Sequence, residues 1–139
     1  MAFEHSLQVT IIPVLEQIET SANDVFTWKV EKNILVRDVS VVVQEAAVVA
    51  SSTAPVFSLD AIIGGAARAE KATLSVANGT AKGVEVIASE SSGVPWSPFV
   101  VEEGDTLFFE HKTAGAGGSS AGAVYFILYY EIIPGIGDV

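Results

Sequence analysis

The sequence predicts an all-β protein, a jelly-roll-like antiparallel β-sandwich of about eight to nine strands. Three observations carry this. About nine short runs rich in Val, Ile, Thr, Phe, Tyr and Trp follow one another along 139 residues, several with alternating apolar and polar positions. Between them lie Gly, Asn, Asp, Pro and Ser, the residues that turns require. The few helical candidates are too short to compete. Strands in this number close into a sandwich or barrel, and a chain of this size suits a jelly roll best.

The first run is Ser6 to Pro13 (SLQVTIIP). Val25 to Val30 (VFTWKV) alternates, with Phe26, Trp28 and Val30 on one face and Thr27 and Lys29 on the other. Ile34 to Gln44 (ILVRDVSVVVQ) puts Leu35, Val39, Val41 and Val43 on one side, and Asp38, Ser40 and Gln44 opposite. Val56 to Ile63, Thr73 to Ala77, Gly83 to Ala88, Phe99 to Val101, Thr106 to His111 and Ala123 to Ile133 complete the set. Asn78-Gly79 reads as a hairpin turn, because both residues tolerate positive φ, and Glu103-Gly104-Asp105 punctuates the chain similarly. Val14 to Ser21, Glu45 to Ala50 and Ile62 to Lys71 are candidates for short helical turns. Thr113 to Gly122 (TAGAGGSSAG) is expected to be a mobile loop tip. These features fit a single β-sandwich domain over 1–139, with an N-terminal arm over about 1–24.

Half of the residues are hydrophobic and 17% are charged, so the chain can bury a core. Its net charge of −10 repels phosphate backbones, and no basic run offsets it, which argues against nucleic-acid binding. There is no cysteine, hence no disulfide and no thiolate metal site. The N-terminus lacks the basic and small-residue pattern of a secretory signal. The longest apolar run, about ten residues, is half of the ~20 that a spanning helix needs, so no membrane partner is expected.

Little in the sequence carries reaction chemistry. His5 and His111 are far apart, and Glu110 and His111, as strand neighbours, point to opposite faces and cannot chelate together. Glu102, Glu103, Asp105, Glu110 and His111 are read as solvated edge residues around a tight turn. No nucleophile elbow and no phosphate-cradling loop is present. The expectation is a non-enzyme without metal or organic cofactor. Asn78-Gly79-Thr80 matches a glycosylation acceptor pattern but is read as the hairpin turn. Trp96, in Pro95-Trp96-Ser97-Pro98, either caps one end of the core or offers a platform for a sugar ring. Asp60 interrupts an apolar run, as an outward edge charge or as a buried acid with a partner; the edge charge is preferred.

The order of these runs, with Val101 to Leu107 forming a V-x-x-G-D-x-L turn before a Gly-rich loop and a long apolar last strand, resembles the jelly-roll decoration (cement) and accessory head proteins of tailed bacteriophages. The likeness in pattern covers roughly Val25 to Ile133. It implies a structural virion protein at the capsid surface, a symmetric homo-oligomer with a trimer favoured, and the major capsid protein as partner. The G-D turn also occurs in cupins, but the metal-binding histidines that those enzymes add after it are absent. A carbohydrate-binding or lectin-like sandwich, with Trp96 stacking on sugar, is the alternative.

The last strand bears on this choice. Nine of the ten residues from Val124 to Ile133 are apolar or aromatic, so both faces require cover. Tyr125, Ile127, Tyr129 and Ile133 form one row, and Val124, Phe126, Leu128, Tyr130 and Ile132 the other. One row packs inside; the other meets a neighbouring subunit or the chain's own segments. Parity does not say which. The candidate interface is therefore Tyr125, Ile127, Tyr129, Tyr130 and Ile132.

Overall fold

A computed structural model of the chain describes residues 7–14, 23–44, 55–77, 80–113 and 124–133. Nine strands are found there: β1 (Leu7–Val14), β2 (Asn23–Lys29), β3 (Ile34–Val43), β4 (Val56–Ile62), β5 (Ala69–Ser75), β6 (Glu85–Ile87), β7 (Phe99–Val101), β8 (Thr106–Thr113) and β9 (Val124–Ile132). The helix α1 is a single turn, Ala88–Ser91, between β6 and β7. The fold is all-β, as the alternating runs predict.

Pairing is antiparallel throughout and follows a rolled ribbon. At the ribbon's tip β4 pairs with β5; further back β3 pairs with β6 and β7, then β2 with β8, and finally β1 with β9. Rolling the ribbon brings β9 beside β3 and β8 beside β4. The result is two sheets, β1-β9-β3-β6 with β7 also on β3, and β2-β8-β4-β5. This is the jelly-roll order. The short β6 and β7 share one edge of β3: β6 pairs with Ser40–Val42 and β7 with Ile34–Val36.

The two inner faces meet in a core that includes Val39, Val41, Phe57, Leu59, Leu74, Leu107, Phe109, Phe126 and Leu128, all at most 2% exposed. At its centre Phe126 of β9 stands edge-on to Phe57 of β4 and Phe109 of β8, with ring centroids 5.9 and 5.4 Å apart, a favoured aromatic geometry that stitches sheet to sheet.

The G-D turn has a physical basis here. Gly104 sits at φ +93°, a conformation that side chains resist. Asp105 then accepts hydrogen bonds from the N–H groups of Glu102 and Gly64, both at 3.0 Å, and so ties the β7–β8 turn to the β4–β5 connection.

Several expectations are corrected. A register shift between Val36 and Asp38 lets Ile34 and Val36 share the buried side with Val39, Val41 and Val43, so Leu35 does not face with Val39. Ile62 to Lys71 forms no helix: Gly64 and Gly65 turn at φ +61° and +74°, and Ala69 already belongs to β5. Asn78-Gly79 lies outside the described residues, but its flanking strands do not form a hairpin, since β5 pairs with β4 and β6 with β3 in the other sheet. Leu7–Val14 pairs with β9 along its whole length, so this part of the expected N-terminal arm belongs to the sandwich. Residues 15–21, Glu45 to Ala50, 114–122 and His5 lie outside the described residues.

Candidate interaction surface

Position along β9 decides which side chains can meet a partner. Val124, Phe126 and Leu128 are 0–1% exposed, so the even-numbered row is the inner one. Tyr125, Ile127 and Tyr129 point outward and are half-buried. The candidate set thus splits. Tyr125, Ile127 and Tyr129 share the outer face. Tyr130 belongs to the inner row, packs edge-on to Trp28 at 5.5 Å, and accepts a hydrogen bond from Thr10 Oγ1 at 3.4 Å. Ile132, opposite Ile34 and 44% exposed, sits at the end of the inner row.

The outer face extends onto β1, which the sequence reading left out of the interface. In the antiparallel register Val9 faces Tyr129 and Ile11 faces Ile127. Leu7, Val9 and Ile11 are 53%, 52% and 61% exposed, so this edge strand presents an apolar stripe to solvent beside that of β9. The signal was present in the sequence: LQVTIIPV carries no charge, whereas the other long edge strands carry Asp24 and Lys29, or Glu70 and Lys71. Charges on edges oppose strand-to-strand association, and β1 lacks them.

One polar group is built into this face. Glu85 Oε2 accepts short hydrogen bonds from Ser40 Oγ at 2.6 Å and Tyr129 Oη at 2.5 Å. Ser40 is fully buried. Burial, and then the bond to Glu85, push the Tyr129 hydroxyl above its usual range. Beside it Asp38 Oδ1 accepts from the N–H groups of Val39 and Ser89 at 2.9 and 3.2 Å. Arg37 pairs with Glu131 at 3.1 Å. Leu7, Arg37, Asp38, Ile87, Tyr129 and Glu131 line a shallow groove of about 420 Å³.

The outer face of the second sheet differs. Arg68, from the β4–β5 connection, reaches Asp24 at 2.7 Å, Asp60 at 2.8 Å and Glu110 at 2.8 Å, with its guanidinium 4.1 Å from the centre of the Phe108 ring. These bonds, first that to Asp24, hold the guanidinium well above its usual range. Burial and the nearby Asp60 carboxylate push Glu110 upward. Lys112 pairs with Glu70. Asp60 is therefore no edge charge: β4 is a central strand, and the residue is 7% exposed beneath Arg68. His111 is likewise no solvated edge residue. It lies at 2% exposure in the inner row of β8, 4.9 Å from the Phe57 ring.

Trp96 is half-buried against the core and edge-on to Phe99 at 5.9 Å, while Lys71 lies over the same Phe99. Among the described residues no three His, Cys, Asp or Glu side chains are grouped to hold a metal ion. No family model matches the chain, and neither a curated protein nor a solved structure does.

Proposed function

We propose that this jelly roll is a structural protein that acts by contact, docking the outer face of its β1-β9-β3-β6 sheet on neighbouring subunits. In this reading it is a capsid decoration protein of a virion: copies of the chain form a symmetric oligomer, a trimer by preference, and reinforce a lattice of major capsid protein. The observation that supports it is the apolar stripe of Leu7, Val9 and Ile11 running beside Tyr125, Ile127 and Tyr129. An antiparallel sheet that faces water on one side is polar there, and the β1–β9 part of this one is apolar. Apolar and aromatic residues grouped on a face are what interface centres contain.

Light scattering on the full chain tests the reading. The native protein should have the mass of an oligomer, or acquire it on a capsid lattice. Ile11→Asp together with Ile127→Asp should keep the β-rich circular dichroism spectrum and lose the assembly. A native monomer that ignores the lattice, with the double variant unchanged, ends the proposal.

A further inference from the structure

The groove beside Tyr129 has a charge imbalance that no lysine or arginine of the chain corrects. All seven Lys and Arg residues, Lys29, Lys32, Arg37, Arg68, Lys71, Lys82 and Lys112, lie within the described residues. Arg37 is used by Glu131, Arg68 by three carboxylates and Lys112 by Glu70. None pairs with Asp38 or Glu85. Two carboxylates therefore stand at one end of an apolar face, half-buried and held by N–H and O–H donors, and among the described residues neither has an ion-pair partner, Arg37 in the same groove being held by Glu131. Such charges gain from a cation that shares their partly desolvated site. The groove walls, Leu7, Ile87 and the Tyr129 ring, suit an aliphatic stem.

On the reading that this face is a docking surface, we propose that the groove takes a lysine or arginine side chain from a different protein, carried on an extended apolar segment. The stem lies between Leu7, Ile87 and Tyr129, and the cationic head reaches Asp38 and Glu85. A second copy of the chain is the poorer occupant by charge, since each copy carries −10.

The test is an NMR titration of the full-length chain with two blocked tripeptides, acetyl-Val-Lys-Val-amide and its norleucine counterpart, which keeps most of the stem and lacks the charge. At low salt the lysine peptide should give saturable shifts at Leu7, Ile87 and Tyr129 and bind about tenfold tighter, equivalent to about 1.4 kcal/mol. Asp38→Asn and Glu85→Gln keep an acceptor for the groups now bonded to these carboxylates, so the face stays formed. Together they should abolish the preference and leave norleucine binding unchanged. Equal binding of the two peptides, or no saturable shift at the groove, overturns the inference without touching the docking reading. A native oligomer whose groove opens to the peptide only in Ile127→Asp would assign it to a second copy, and also overturns it. If assembly survives Ile11→Asp with Ile127→Asp while the lysine preference holds, the docking reading fails alone.

Discussion

Tyr129 and Tyr130 are sequence neighbours with opposite surroundings, and a charge at each should act differently. Tyr129→Asp puts a carboxylate on the outer face beside Glu85 and Asp38; it should fold, with some loss of stability, and fail to assemble. Tyr130→Asp loses the Trp28 contact and sets a charge against the core, so a cost of about 3 kcal/mol or more is expected. Urea unfolding and light scattering on both variants separate the outcomes, and equal stability would refute the assignment of faces. Around Arg68 the expectation concerns pH. Because burial and Asp60 raise Glu110 in the folded state, its stabilising contribution is complete below the usual glutamate range and is lost as pH rises through the displaced value. Glu110→Gln still offers Arg68 an acceptor. It should flatten that part of the stability–pH curve and leave the protein at least as stable as the native at neutral pH. Arg68→Met, which strips the cation from the buried Asp60, should cost about 3 kcal/mol in the same measurement.

A strand is the unit at which the two faces can be compared under one backbone. Within β9, Phe126→Ala empties the aromatic junction with Phe57 and Phe109, and about 3–5 kcal/mol should be lost. Ile127→Ala, one residue on and facing out, should cost about 1 kcal/mol in the isolated chain. If the two cost the same in thermal or urea unfolding, the partition into rows is wrong. The elements were largely legible in the sequence, because period-two alternation and turn residues are local signals. Phe99–Val101 matches in both bounds, and most other strands agree to within two residues. The misses have physical causes. Ala69–Lys71 looked helical by propensity, but pairing with β4 overrides it. The register shift in β3 moves Leu35 out of phase, and nothing local announces it. Asp60 meets its partner Arg68 eight residues away, and that arginine is also held by Asp24 and Glu110 on other strands, so only the folded pairing reveals its environment. His111 was legible, since it shares parity with Leu107 and Phe109. The outer face was half legible: parity separated the rows of β9, but the uncharged β1 became part of the site only once it lay against β9.

At the scale of the whole molecule, charge and apolar surface oppose each other. Seventeen acids against seven bases give every copy a net −10, and three of the seven cations, Arg37, Arg68 and Lys112, are already engaged in ion pairs within the chain. Any contact between copies must therefore gain more from the outer apolar stripe than it loses to long-range repulsion. Screening weakens only the repulsion. Raising ionic strength from about 0.01 M, where the Debye length is about 30 Å, to about 0.15 M, where it is about 8 Å, should strengthen self-association. The apolar gain is untouched by salt in this range, so the midpoint concentration for oligomer formation should fall several-fold. A cationic side chain in the groove obeys the opposite rule, because salt screens its attraction to Asp38 and Glu85. Light scattering across protein concentration at the two ionic strengths measures the first effect, and the lysine-peptide titration under the same conditions measures the second. Self-association that weakens as salt is added would mean that opposite charges hold the copies together. The stripe of Leu7, Val9 and Ile11 would then not be the contact.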